Sequence, residues 1–195
     1  MFSYQRSFGS PTSVVTLEQF RALVGAPETF RKVSEAREAL ARGDKKGYDA
    51  KKKSLPFVIF IATYDKSEKE FENKETGETT KRWGCWRNQK FCRLNGLCVI
   101  DFDHVDEGVQ TTPTPPNLGG EKVTLRQIWE EAYGRLSEED RRRVLLVYVT
   151  PSGHGLKVVF IADAAVGNLI DNQKVFSEKL GLNPDEACKD ASRGA

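Results

Sequence analysis

Apolar and polar positions along the chain recur with two periods, and the switches between them mark out the elements. The first fifty residues read helical. Thr16-Leu17-Glu18-Gln19 has the form of a capping box, and Leu17, Phe20, Leu23 and Val24 then share one face. A second helix is predicted from Pro27 to Arg42, with Phe30, Val33, Ala36, Ala39 and Leu40 inward and Gly43 as its stop. Pro56 ends any helix carried through Lys51-Lys52-Lys53, and the continuous apolar run Phe57 to Thr63 predicts a buried strand. Residues 64–82 are charged and apolar-poor, with a turn at Thr76-Gly77-Glu78, and read as an exposed hairpin or mobile loop. Leu97-Cys98-Val99-Ile100 is a second buried strand, followed later by a Pro/Gly/Thr loop from Thr111 to Gly120. Thr124-Leu125-Arg126-Gln127 caps a helix carrying Leu125, Ile128, Trp129, Ala132 and Leu136. Strands Val144 to Val149 and Leu156 to Ala162 flank a glycine-rich turn, and a helix near Asn168 to Leu180 stops at Gly181. This order predicts an α+β chain, with helices packed on a mixed sheet. A helical lobe at 1–54 would precede a core at 55–195.

Composition narrows the class. With 195 residues, 38% hydrophobic and 30% charged, the chain can build an ordinary soluble core. No apolar run approaches the roughly 20 residues of a membrane span, and no secretory leader is visible, so a cytoplasmic protein without a membrane partner is expected. The net charge of +2 is too balanced to imply nucleic-acid binding by itself. Local clustering carries that case: Lys81, Arg82, Arg87, Lys90 and Arg93 are interleaved with Trp83, Trp86 and Phe91. Cys85, Cys92, Cys98 and Cys188 contain no Cys-x-x-Cys pair and read as plain, mostly buried thiols.

Chemistry concentrates in three places. Cys98-Val99-Ile100-Asp101-Phe102-Asp103 ends an apolar strand in two carboxylates, and residues i and i+2 of a strand point the same way. Two such carboxylates repel unless a cation lies between them, and hard oxygen ligands suit Mg²⁺ or Mn²⁺. The bland alternative is a strand running out into a solvated loop. In Thr150-Pro151-Ser152-Gly153-His154-Gly155-Leu156-Lys157, glycine backbone, Ser152, His154 and Lys157 make an anion-binding turn, unless it is a plain hairpin loop. The stretch from Asn183 to Ala195 offers Asp185, Asp190 and Arg193, or else is a frayed polar tail.

Together these segments resemble the archaeo-eukaryotic primase, or primase-polymerase, superfamily. Its first motif is an apolar strand ending in Asp-x-Asp, here Val99-Ile100-Asp101-Phe102-Asp103. Its second is a Ser/Gly turn entering an apolar strand through a basic residue, here Ser152-Gly153-His154-Gly155-Leu156-Lys157. Its third is an Asp, with an Arg about eight residues later in some members, matched by Asp185 and Arg193. Lys-x-x-Leu-Pro near residue 55, Asn95-Gly96-Leu97 and Pro-Ser-Gly-x-Gly-Leu-Lys are similar to a narrower branch. That branch forms the N-terminal domain of virulence-protein-E-like helicase proteins of mobile elements. Lys157 departs from the family, which usually has His there, and Asp190 competes with Asp185.

The resemblance implies an RRM-like sheet with packed helices and nucleotidyl transfer onto a primer, or de novo, on single-stranded DNA. Two divalent ions, Mg²⁺ or Mn²⁺, would sit on Asp101, Asp103 and Asp185. Ser152, Gly153, His154, Gly155, Lys157 and Arg193 would hold the nucleoside triphosphate. Lys81, Arg82, Trp83, Trp86, Arg87, Lys90 and Arg93 would hold template, unless the segment is a solvated strand whose Trp residues pack inward. Further strands, and a helicase domain or subunit, are expected beyond residue 195. Two other classes compete. One is a non-catalytic nucleic-acid-binding module on a degenerate primase fold. The other is a haloacid-dehalogenase-like phosphohydrolase with Asp101 as nucleophile, Asp103 as general acid and Thr150 as second motif.

Overall fold

The computed structural model describes residues 1–7, 9–73, 75–105 and 123–185. Within them the chain is mixed α and β, with small antiparallel pairings and six α-helices, and it divides between Leu97 and Cys98 into two units. The expected loop from Thr111 to Gly120 and Cys188 lie outside the described residues.

The first unit starts with strands, which corrects the all-helical reading of its N-terminus. β1 (Phe2–Gln5) pairs antiparallel with β2 (Thr12–Val15) and, on its other edge, with β3 (Phe57–Ile59). Strands of four residues are too short to display a period, and the pairing to β3 is invisible to any local window. α1 (Leu17–Val24) then begins at the capping box: Thr16 Oγ1 accepts from the Gln19 N–H, and the Gln19 side chain accepts from the Thr16 N–H. α2 (Pro27–Ala41) has its proline at the first turn, and Gly43, at φ +74°, turns the chain into α3 (Lys45–Lys53). Ala36 and Ala39 pack on Tyr48, while Phe30, expected inward, is exposed.

The apolar run at Phe57 is two strands rather than one. β3 ends at Ile59 and β4 (Ala62–Tyr64) starts after a break at Phe60-Ile61. Phe60 leaves the ladder to place its ring 4.8 Å from Phe2 and 5.0 Å from Phe20. Each such pair adds about 0.5–1.5 kcal/mol beyond area burial. Because β3 bonds to β1, the boundary expected after residue 54 lies inside this unit. β5 (Ser67–Glu72) and β6 (Thr79–Gly84) form the hairpin that the charged stretch suggested, with Gly77 at φ +71° in its loop. β7 (Cys92–Leu94) pairs with β4.

The second unit holds β8 (Leu97–Phe102), β9 (Val144–Val149) and β10 (Leu156–Ile161) in the order β8-β10-β9. β9 and β10 are antiparallel, as the turn between them predicted, with a register shift between Val159 and Phe160. Cys98, Ile100, Phe102, Val158 and Phe160 join Ala132 of α4 (Leu125–Arg135) and Leu136, the residue that ends it, in one buried core. α5 (Glu138–Arg143) follows, and α6 (Leu169–Leu180) adds Phe176 and Leu180. Phe160 and Phe176 stack at 4.0 Å and 13°. Gly181, at φ +66°, stops α6 at the predicted residue. Among the described residues no helix is long and apolar enough to cross a membrane.

Candidate active site

β8 positions the first carboxylate by simple alternation. Cys98, Ile100 and Phe102 enter the core, so Val99 and Asp101 face the other side of the strand. On the adjacent β10, Lys157 stands beside Asp101, its Nζ 2.8 Å from Oδ2. Both side chains are mostly buried, 11% exposed for Lys157 and 16% for Asp101. The other carboxylate oxygen, Oδ1, is buried with no hydrogen-bond partner. Burial pushes the Asp101 carboxyl above the ordinary range; Lys157 pulls it down, and the charges of Asp103 and Asp185 push it up again.

Asp103, Asp185 and the Thr150–Gly155 turn lie at the same strand end. The Asp185 N–H donates to the Asp101 carbonyl at 2.8 Å, so the third-motif aspartate lies alongside the first. The turn from Thr150 to Gly155 closes with the Thr150 N–H on the Gly155 carbonyl, 2.9 Å, and the Gly153 N–H on the Thr150 carbonyl, 2.9 Å. Gly153 has φ +87°. Gly155 has no room for a side chain: a Cβ would lie 2.7 Å from the Phe102 carbonyl oxygen and 3.0 Å from Asp103 Oδ1. The turn is thereby pressed against the carboxylate strand, and the Val105 N–H tethers it through the His154 carbonyl at 3.1 Å. Between Asp103 and Val105 the chain reverses through His104 at φ +54°, the one non-glycine residue in the left-handed region among the described residues.

Two details differ from the expected triphosphate cradle. Lys157 is engaged with a carboxylate, and the Gly153 and His154 N–H groups are used inside the turn, the latter by Ser152 Oγ at 3.3 Å. Ser152 Oγ also shares a 2.9 Å hydrogen bond with Thr150 Oγ1. Arg193 and the rival Asp190 lie outside the described residues.

Among the described residues no three His, Cys, Asp or Glu side chains converge closely enough to hold a metal ion by themselves. The donor set nevertheless fits a hard divalent cation. Asp103 and Asp185 each lie within electrostatic reach of Asp101, the Lys157 ammonium offsets it, and a buried Asp101 oxygen is left unsatisfied. A cavity of about 720 Å³ between β8 and α6 includes Asp185, Gln173 and Ile100 but not Asp101, Asp103 or the turn, so it is a neighbour of this site.

In the first unit, the basic-aromatic segment divides between packing and exposure. Trp86 is 6% exposed, sits 5.2 Å from the Phe71 ring and donates Nε1–H to the Arg82 carbonyl, so it is a structural anchor. Trp83 is 72% exposed. Lys81 pairs with Glu68 and Glu70, Arg93 pairs with Asp65, and Arg87 covers the Phe57 ring. Lys90 is exposed in the single turn Gln89–Phe91. Cys85, Cys92 and Cys98 are free thiols; Cys98 is fully buried, which pushes its thiol up to about 12 and leaves it inert.

Comparison with protein-family models, curated proteins and solved structures gave no match. Function therefore rests on the chemistry of these residues.

Proposed function

We propose that the second unit is a primase-polymerase-type nucleotidyltransferase that extends a primer on single-stranded DNA. The observation that supports it most is the buried, unsatisfied Oδ1 of Asp101, with Asp103, Asp185 and a glycine turn at the same strand end. In the reaction the primer 3′-hydroxyl oxygen bonds to the α-phosphorus of a nucleoside triphosphate. The bond from that phosphorus to the bridging oxygen breaks, pyrophosphate leaves, and the hydroxyl proton passes to water. Asp101, Asp103 and Asp185 would hold Mg²⁺ or Mn²⁺, which supplies charge stabilisation to the attacking and leaving oxygens.

The chain's own residues have separable roles. Lys157 holds Asp101 by its Oδ2 and would leave the unsatisfied Oδ1 available to a cation, which makes it a positioning residue. Gly155 permits the close approach of the turn to Asp103. Ser152 and His154 then present side chains to the triphosphate beside the carboxylates. Incorporation of a labelled nucleotide into a primed single strand with Mn²⁺ is the test. Wild type extends the primer, whereas Asp101→Asn retains strand binding and loses extension; no incorporation by wild type would reject the reading.

One observation favours a second reading. A lysine on the first aspartate is also what a haloacid-dehalogenase-like phosphohydrolase requires, with Asp101 as nucleophile. Asp185, however, follows α6 without an intervening strand. A phosphoryl group trapped covalently on Asp101 would select the hydrolase over the polymerase.

A further inference from the structure

The β5–β6 hairpin sorts its charges by face. Alternation places Glu68 and Glu70 on one side, where Lys81 pairs with both. The opposite side carries Lys69 and Arg82 directly across the strands from each other. Like charges in that position are destabilising. Neither has a carboxylate within ion-pairing distance among the described residues; both lie over the Phe71 ring, each at 5.2 Å, and Lys69 also lies 5.3 Å from the Trp86 ring. These aromatic faces hold the cations in place without neutralising them.

Beside Lys69 lies a cavity of about 360 Å³, lined by Ser67, Glu68, Lys69, Trp86, Arg87, Asn88 and Gln89. Ser67 is 4% exposed and its hydroxyl has no hydrogen-bond partner among the described residues, a buried polar group left unsatisfied. Glu68, the one acid of the lining, is held by Lys81. The cavity lining thus combines cations at Lys69 and Arg87, side-chain amides and an aromatic wall with Ser67, whose unsatisfied hydroxyl is screened from solvent.

We infer that this cavity is a phosphate-binding site in the first unit, with Ser67 and Lys69 as its central contacts and a phosphodiester of single-stranded nucleic acid as its ligand. A phosphate supplies acceptor oxygens for the hydroxyl and neutralises the cross-strand repulsion, so one ligand relieves both costs. This builds on the reading of the protein as one that acts on a single strand. It does not require nucleotidyl transfer and involves none of the carboxylates.

The test is fluorescence-anisotropy titration of the full chain with a labelled oligothymidine across a salt series. Wild type, Ser67→Ala and Lys69→Gln are compared, with thymidine monophosphate and inorganic phosphate as competitors. Lys69→Gln should weaken binding about tenfold at low salt and lower the salt slope by about 0.7. Ser67→Ala, which retains the packing, should weaken binding without changing the slope. Displacement by free phosphate or the monophosphate at low millimolar concentration would identify a small phosphate ligand in place of a strand, overturning the strand assignment while keeping the phosphate contact. Binding and salt slope unchanged in both Ser67→Ala and Lys69→Gln would overturn the site. Absence of primer extension with these shifts intact would reject the polymerase reading alone.

Discussion

Asp101 carries the most informative contradiction at the level of single residues. A buried carboxylate with one oxygen on an ammonium and the other unsatisfied is expensive unless a further cation completes it. Replacing Lys157 by Met leaves Asp101 buried without its counter-charge. We expect a loss of about 3–5 kcal/mol in denaturant unfolding, the scale of breaking a buried pair. Double replacement, Asp101→Asn with Lys157→Met, should recover part of that loss, and the cycle measures the coupling directly. His104 makes a smaller prediction. Its left-handed backbone costs about 1–2 kcal/mol in a side-chain-bearing residue, so His104→Gly should stabilise the fold by about 1 kcal/mol in thermal unfolding. Paired spacing in Asp-x-Asp was readable from the sequence because strand alternation is local. The partner Lys157 was readable only as a cation at a strand start, since its placement on Asp101 depends on β10 lying next to β8.

Elements whose signals are local were legible, and those stabilised from a distance were not. The capping boxes at Thr16 and Thr124 and the glycine stop after α6 stand where the pattern put them, each being a hydrogen-bond device complete within a few residues. β1, β2 and the break at Phe60 depend on partners far along the chain. α5 was missed because Glu138-Glu139-Asp140-Arg141-Arg142-Arg143 has no apolar period at all. Its acids lie at the N-terminal end and its bases at the C-terminal end, which suits the helix dipole. Asp140 also receives Lys179 Nζ of α6 at 2.8 Å on both oxygens and Arg143 at 3.3 Å.

Burial alone would raise the Asp140 carboxyl, but hydrogen bonds from Lys179 and Ser137 and the charges of Lys179 and Arg143 outweigh it and lower it. A carboxyl depressed by folding stabilises the fold above its unfolded value, about 4, and loses that contribution as pH falls through the folded value. Asp140→Asn should therefore destabilise the protein by about 1.5–3 kcal/mol at neutral pH, with the gap from wild type closing below pH ~4 in urea titrations. In the β9–β10 turn, Gly155→Ala puts a methyl against the Phe102 carbonyl and Asp103. It should cost about 1–3 kcal/mol and impair incorporation together with stability, because the turn must withdraw from the carboxylates.

At the scale of the whole molecule, the proposed tasks fall in different units: cation and triphosphate chemistry at the end of β8, strand contact on the β5–β6 hairpin. The mixture of helices and strands was visible early, from helices alternating with strands and one clear hairpin, whereas the strands fall into four small sheets among the described residues in place of the one expected mixed sheet. The division at Leu97 was not, since it follows from long-range pairing of β1 with β3 and of β4 with β7. Electron paramagnetic resonance of free Mn²⁺, titrated into the full chain with a nucleoside triphosphate, reads out whether Asp101 and Asp185 hold a divalent cation. Saturable Mn²⁺ uptake by wild type, abolished in Asp101→Asn and weakened in Asp185→Asn while circular dichroism is unchanged, is the predicted result. Equal uptake by all three proteins, or none by wild type, would contradict it.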